Sequence, residues 1–561
     1  MQIDCTEFDY VVVGGGAAGC VVANRLSANP ANRVCLLEAG PMDSNPAIRV
    51  PLAFMILSQL GIHNWGYETL PEPATADRRI PFPQGKVLGG TSSINGTVYM
   101  RGHPSDYDGW AALGNTGWGY DEVLPYFRRA ENNVVFQDSP FHGTGGPVTV
   151  SNPTHIHDLA RRFVAAAEAC GIPPTPDFNG ESQEGAGIRQ LFQKNGRRVS
   201  SASAYIAPVR KRRNLTIIPG FHASRLRIAE GRCTGVDGLQ EGRPATITAR
   251  REVIVSSGTI GSPALLLRSG IGDGGALSAL GIASVRHSPG VGANYQDHVN
   301  IVVRHDDPGR TSYGLSLRSA GKLTWAPLEY LLFRRGLLAS NLAYAGAFLR
   351  TDAALNRPDV QLIFWPAHKP PGKLAGAGHS YQVMTHLLRP DSRGRVSLAS
   401  PRVTDKPHIA TGVLSEASDV RTLLAGIKVA RAVMRQMGGG AELEPGADVV
   451  SDEALTRYMR ETAVMGLHCA GTCRMGPDAE SVVDPELRVR GVEGLRVADA
   501  SIMPTLIGGN TAAPAMMIGE KVSDMILAAS HSRIPERLDA KCDGHIGTLA
   551  ARRSGAWVPI P

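Results

Sequence analysis

The chain has 561 residues, 43% of them hydrophobic and 19% charged. That is ample apolar material for a core and too apolar a balance for a disordered chain. Lys and Arg number 58 against 51 for Asp and Glu, a mild excess that does not call for nucleic acid as a partner. Eight cysteines are too few for a disulfide scaffold, and no apolar run reaches the roughly 18–20 residues of a membrane span.

Met1 leads through Gln-Ile-Asp-Cys into a strand by Asp9, without the charged start and apolar stretch of a secretory leader. A cytoplasmic location is the expectation. Tyr10–Val13 is a short β-branched run of the kind found in buried parallel strands. Gly14-Gly-Gly-Ala-Ala-Gly19 follows, then a helix over 17–27, then a strand over 34–37 that ends at Glu38. In Gly14-x-Gly16-x-x-Gly19, the first glycine permits the turn. The second lets backbone approach a pyrophosphate at the helix N-terminus, and the third lets helix and strand pack closely. Glu38 lies 19 residues past Gly19, where a carboxylate accepts hydrogen bonds from a ribose. The unit predicts a dinucleotide site without separating NAD from FAD.

Residues 50–150 are rich in Pro, Gly and Trp, with a helical pattern over 120–132. Long ordered segments of this kind usually cover a ligand. Helices are expected over 155–171 and 200–213, the second ending in the solvated run Arg210–Arg213. Strands over 215–219 and 252–256 precede Gly258-Thr-Ile-Gly261 and a helix over 262–268. Residues 300–455 carry strand-like runs at 360–365, 381–387 and 396–398, which suit an antiparallel sheet. The amphipathic stretch Trp325–Leu338 reads as a helix packed on the core, with a membrane-surface helix as its second reading. A strand over 495–498 and a helix over 514–529 restore α/β character. Cys469 and Cys473, beside His468, lack a second ligand pair, so no metal is expected. Trp65, Tyr99 and Trp365 read first as core and second as pocket aromatics.

Two further motifs are long and specific. One runs Gly85-Lys-Val-Leu-Gly89-Gly90-Thr91-Ser92-Ser93-Ile94-Asn95-Gly96 and on through Tyr99, Arg101 and Gly102. The other runs from Ser257 through Ser262-Pro263 to Gly272. The sequence resembles the glucose–methanol–choline (GMC) oxidoreductases, which are FAD enzymes, and these segments fit that family's two signatures. The likeness spans about residues 8–530 and includes Gly290–His298.

The resemblance implies an α/β fold with a Rossmann-like FAD-binding domain from residues 1–150, 195–300 and 455–530. A second, α+β substrate domain on an antiparallel sheet would come from 151–194 and 301–454, leaving 531–561 as a tail of no assigned role. It implies FAD contacts at Gly14, Gly16, Gly19, Glu38, Gly89, Gly90, Thr91, Asn95, Gly96, Thr97, Val98, Arg225, Asp499, Ala500, Asn510 and Thr511. Arg225 departs from the family, which usually has a small β-branched residue near the adenine. A contact through the backbone would tolerate it. Members that attach FAD covalently do so through a His just before the signature Asn. Ile94 stands there, so non-covalent FAD is expected.

The family's catalytic His falls at His468, and its Asn or His partner at Asn510, 42 residues later. Since an amide does not titrate, His468 is the expected general base and Asn510 the group that holds the substrate oxygen. The first signature is closest in style to bacterial choline and aliphatic-alcohol dehydrogenases, which favours a primary alcohol. The partners expected are a small-molecule alcohol and an electron acceptor: oxygen, a quinone or a redox protein. Rival readings on the same fold are a hydroxynitrile lyase, a light-driven fatty-acid decarboxylase and an FAD-binding module without activity.

Overall fold

The computed structural model describes residues 6–368 and 377–531. The tail expected from 531 onward lies almost wholly outside the described residues. Two sheets organise the chain. At the centre of the first, strand Glu7–Val13 pairs in parallel with Val34–Glu38 on one side and with the end of Arg243–Val255 on the other. Leu215–Pro219 extends the sheet beyond Val34–Glu38, and Leu495–Val497 runs parallel to the end of Arg243–Val255. The central strands are buried along nearly their whole length, which is why their sequences are continuous apolar runs rather than alternating ones. Helix Ala17–Leu26 follows the glycine turn and packs against helix Ala512–His531.

Strand Arg243–Val255 is longer than its expected core of 252–256. Its outer half joins an antiparallel meander with Arg232–Gln240 and Phe221–Ala229. Charged and exposed residues such as Arg225, Arg227 and Arg250 interrupt the apolar pattern there, so periodicity did not announce these strands.

The second sheet runs in the order Glu442–Glu444, Val299–Asp306, Ser380–Leu387, Val360–Trp365, Ala345–Leu349, Gly185–Ile188, all antiparallel. Helices Asp158–Ala169 and Ala417–Gln436 cover one face, where Gly426 lies against Thr385 and Val360. The fold is thus α/β, with a Rossmann-like sheet and a second, antiparallel sheet, as expected.

Two expectations need correction. The helix over 200–213 is one wide helical turn, Ala202–Ile206; Pro208 follows, and a proline stops helix propagation. Of the stretch 325–338, residues 325–333 belong to helix Leu317–Phe333, which is capped at Arg334 and does not pack on the core over most of its surface. Only Ala326 and Tyr330 are buried, while Leu331 is 63% and Phe333 55% exposed. Apolar side chains surround this helix, and only one side has protein to cover them. Among the described residues no helix is long and apolar enough to cross a membrane.

Candidate active site

The glycine turn and the first signature meet to form a cradle. Gly89 donates its N–H to the Gly15 carbonyl at 2.6 Å, and a Cβ on Gly90 would come within 2.8 Å of the Gly16 Cα. At Gly19 a Cβ would overlap the Gly14 carbonyl. By contrast, a Cβ on Gly96 would meet nothing within 4 Å, and one on Gly16 only the Ser256 carbonyl at 3.8 Å. Backbone is therefore left uncovered where the sequence places phosphate and flavin. Glu38 is buried and accepts from Gly15 N at 2.9 Å and Gly40 N at 2.7 Å. Burial pushes its pKa up to about 7 against those two N–H donors. Hydroxyl donors from a ribose would complete its set of partners.

Several expected contact residues use their side chains to hold the cradle rather than to reach into it. Thr91 Oγ1 donates to Gln84 at 2.8 Å, and Asn95 Oδ1 accepts from Arg198 Nη1 at 2.7 Å. Thr97, with φ +58°, accepts from Gln193 at 3.1 Å. Val98 is buried and bridges to Leu191. Asp499 accepts from Gly258 N at 2.9 Å and Ser262 Oγ at 2.6 Å, and from Ser501 N at 2.8 Å. It thereby ties Ala500 to the start of helix Gly258–Arg268. Thr511 precedes helix Ala512–His531, and its carbonyl accepts from Ala515 N. Ile94 is buried hydrocarbon. Arg225 is exposed in its strand, paired through backbone with Asp237.

The second half of the site centres on His468. Its backbone N–H donates to Asp297 Oδ1 at 2.7 Å. The residue before it, Leu467, sits at φ +63°, a conformation that costs energy outside glycine. Its Nε2 lies 2.7 Å from Asn510 Nδ2, and its Nδ1 lies 2.9 Å from His298 Nδ1. With the Asn510 amide in this orientation, Nδ2 donates and Nε2 carries the lone pair. Nδ1 then carries the proton and donates to His298. Two hydrogen bonds thus select the tautomer with a basic Nε2. Burial, followed by the charge of Arg189, lowers the His468 pKa to about 4, so the ring is neutral at pH 7. Asp297 is buried, which raises its pKa to about 7.

The structure brings His468 and Asn510 together as the sequence led one to expect. It adds His298 and His386, the latter with its ring 6.1 Å from that of His468. One ring nitrogen from each of the three lies within 4.8 Å of the other two. Both His468 nitrogens are already committed to Asn510 and His298, so His468 and His298 form a hydrogen-bonded pair with the His386 ring stacked beside it. His298 stood inside Gly290–His298 but carried no mark of its role. His386, on strand Ser380–Leu387, could have been suspected as a polar residue in an apolar strand. Tyr99 is core, with its hydroxyl accepting from Arg101 Nε at 3.0 Å. Trp365 is also buried, packed edge-on to Phe54. Trp65 stacks on Tyr67.

The sequence matches the GMC oxidoreductase family over residues 8–300 and again over 390–519. It is 40% identical to an alcohol dehydrogenase [acceptor] of Pseudomonas putida, over 93% of this chain and 96% of that protein. It is 41% identical to an oxygen-dependent choline dehydrogenase of Brucella suis, with the same coverage of each chain. Among solved structures it resembles pyridoxine 4-oxidase from Mesorbium loti, with a TM-score of 0.83 and 30% identity over 92% of this chain and 98% of that one. A variant of the Aspergillus oryzae formate oxidase aligns with a TM-score of 0.88 at 28% identity, over 95% of this chain and 100% of that one. The chain belongs to the GMC oxidoreductase family. It is a flavoprotein whose cofactor is FAD, an oxidoreductase acting on CH–OH groups, and the cradle described above fits that cofactor.

Proposed function

We infer that the protein oxidises a primary alcohol to an aldehyde, with His468 as general base, Asn510 as the group that holds the carbinol oxygen, and FAD bound non-covalently by the residues predicted for it, Ile94 offering no point of attachment. The domain partition we propose follows the two sheets, with residues 151–194 and 301–454 as the substrate domain. The observation that carries the mechanism is the 2.7 Å contact between His468 Nε2 and Asn510 Nδ2. A carbinol oxygen entering between them accepts a hydrogen bond from the amide and donates its own to the imidazole. The substrate thus replaces the direct contact bond for bond.

An alcohol is far too weak an acid to ionise alone at pH 7. A neutral imidazole held in one tautomer takes the proton as the C–H bond breaks. Bound FAD supplies the acceptor for the hydride. Two electrons and one proton leave carbon as hydride, and the hydroxyl proton goes to Nε2, which balances the oxidation. Anaerobic addition of primary alcohols to the holoenzyme should bleach the flavin absorbance, and readmitted air or a quinone should restore it. Bleaching by no alcohol would overturn this reading in favour of a lyase or a non-redox module.

A second reading concerns the electron acceptor and rests on helix Leu317–Phe333. Its Trp325, Leu328, Leu331, Leu332 and Phe333 are exposed, as are Ile56 of helix Phe54–Gln59 and Leu60 just after it. Arg49, Lys194, Arg197, Arg198 and Arg334 line the adjoining cleft. Apolar side chains beside a basic cleft match an anionic bilayer surface, which favours peripheral attachment and a lipid-soluble quinone as acceptor. Vesicles of phosphatidylglycerol and phosphatidylcholine should sediment the protein, and the double variant Leu331→Asp, Leu332→Asp should stay in the supernatant. Wild-type protein that remains in the supernatant at low salt would sink the idea.

A further inference from the structure

Arg189 is an anomaly among the buried arginines. It directly follows strand Gly185–Ile188, is 0% exposed, and donates its backbone N–H to Tyr344 O at 2.7 Å. Its Nη2 donates to the carbonyls of Ala343 and Ala345. Its Nε and Nη1 have no hydrogen-bond partner, and no carboxylate pairs with it among the described residues. Several other buried arginines follow the usual rule that buried charge is paired. Arg101 meets Glu131, Arg431 meets Glu442, and Arg496 meets Glu252. Arg198, also without a carboxylate, gives Nε and Nη1 to Ile48 O, Ser92 O and Asn95 Oδ1.

The place of Arg189 matters as much as its isolation. A Cβ on Gly346 would lie 3.4 Å from the guanidinium carbon and would overlap the Leu362 carbonyl, so glycine is what lets the guanidinium lie directly against this strand. Gly346 and Phe348 alternate with residues of the other face, and Phe348, Gln361, His386 and Asn300 form one cross-strand row. Both amide atoms of Gln361, both ring nitrogens of His386 and Oδ1 of Asn300 are buried without partners. So is Asn510 Oδ1. The opposite face, with Leu362, Thr385 and Val383, packs on helices in ordinary core fashion. Unmet polar atoms therefore gather on the face that looks at His468, around a cation with no counter-ion. Buried polar groups of native proteins are nearly always satisfied, and such a cluster marks a place that a ligand completes. The carboxylates nearest the site are engaged elsewhere. Asp297 holds the His468 N–H, and Asp106 pairs with Arg389 and Arg357.

We propose that Arg189 binds a carboxylate on the substrate, so that the alcohol oxidised at His468 is a hydroxycarboxylate, with Gln361 and His386 supplying further hydrogen bonds to its polar end. This rests on the alcohol-oxidation reading above and names the substrate class for the same site. The carboxylate is a spectator. Hydride leaves the carbinol carbon for FAD, the hydroxyl proton goes to His468 Nε2, and oxygen or a quinone later takes the two electrons. Neutralising Arg189 also lifts the charge that depresses His468, so the correct substrate strengthens its own base. A cationic amino alcohol would meet an unpaired guanidinium, and like charges in a buried site are strongly disfavoured.

The test uses holoenzyme and anaerobic flavin reduction with a chain-length series of ω-hydroxycarboxylates, each beside its methyl ester, the matching hydroxyalkyl phosphate and the matching amino alcohol. At the best length, the wild type should prefer acid over ester by at least about tenfold. Arg189→Gln should erase that preference, with a loss on the acid of about 10²-fold, the usual scale for truncating one side of a buried charge pair. Arg189→Lys should restore part of it. A turnover-free readout accompanies this. Butyrate and longer alkyl carboxylates should perturb the flavin spectrum of the wild type and of His468→Ala, but not that of Arg189→Gln. Wild-type enzyme that reduces with esters or amino alcohols as readily as with acids would overturn the proposal while leaving alcohol oxidation intact. Equal preference for the phosphates would overturn the assignment to a carboxylate. Carboxylate binding without bleaching by any alcohol would instead sink the oxidation reading and leave Arg189 an anion site. The comparison of acid with ester in wild type does not depend on any variant folding.

Discussion

The nucleotide side and the substrate side of this site are built from different material. On the nucleotide side the working groups are backbone: glycines that let two loops touch, N–H groups around Glu38, and side chains such as Thr91, Asn95 and Asp499 that face the protein and hold the loops. On the substrate side they are side chains on a sheet face and one turn: His468, His298, His386, Gln361 and Arg189. Backbone sites need small residues at fixed spacing in one stretch of chain, so one cofactor leaves a local mark. Side-chain sites draw single residues from distant strands and are free to change with the substrate.

The sharpest way to break this contrast is to add a side chain to the backbone half. Gly19→Val puts atoms where the Gly14 carbonyl stands, and no rotamer relieves a clash at Cβ. The purified variant should carry no flavin by absorbance. A yellow, active Gly19→Val protein would show that the close packing is not required. Next in size, His468→Ala should keep flavin but slow its reduction by alcohol by about 10²–10⁴-fold, the range for loss of a general base. A near-normal reduction rate would remove His468 from the chemistry. Asn510→Ala should cost about 10–10²-fold, since it disturbs position rather than proton transfer. If Asn510→Ala proved the more damaging of the two, the roles assigned to imidazole and amide would have to be exchanged.

A smaller effect concerns pH. Burial and Arg189 hold the His468 pKa down, to about 4 against a usual 6.5. If His468 is the base as proposed, it is neutral across neutral pH, and kcat/KM should be flat there and fall only as the pH drops toward about 4. With the folded pKa depressed, the unfolded chain binds more protons at this site between about 4 and 6.5. The contribution of His468 to stability is thus complete above that window and shrinks as acid is added through it. In Arg189→Gln the acid limb should move upward, because one of the two depressing causes is gone. An unmoved limb would mean that the guanidinium does not act on the imidazole.

What was legible follows the same division. The βαβ unit could be read from Gly14, Gly16, Gly19 and Glu38, because the turn and the groups proposed for phosphate and ribose all fall within one short segment. His468 and Asn510 were legible only through family likeness, since nothing in the residues around a lone imidazole tells a base from a core histidine. Arg189 and Gln361 carried no sequence signal of their own. Their meaning arises when Gly185–Ile188 pairs with Ala345–Leu349, and Val360–Trp365 with Ser380–Leu387, contacts between segments more than 150 residues apart in the first case. The helix expected over 200–213 and the buried face expected for 325–338 failed for different reasons. Pro208 stands in the sequence and argues against a helix running on to 213, whereas nothing in the sequence says whether any protein lies opposite 325–338.

The smallest effect is expected at Arg225, and it bears on the contrast most directly. If the adenine end of the cofactor is met by main chain, then the identity of the side chain there is immaterial. Arg225 lies in strand Phe221–Ala229, paired through backbone with Asp237, and is exposed. Replacing an exposed side chain without fixed partners typically changes stability by less than about 0.5 kcal/mol, and the same scale should hold for flavin affinity. Arg225→Ala should thus bind FAD as the wild type does, within about twofold by titration of the apoprotein. Were that substitution instead to weaken FAD tenfold or more, the guanidinium would have to reach over the adenine. The nucleotide half would then depend on at least one side chain specific to this protein, and its reading as a site of main chain and glycine would fail at that end.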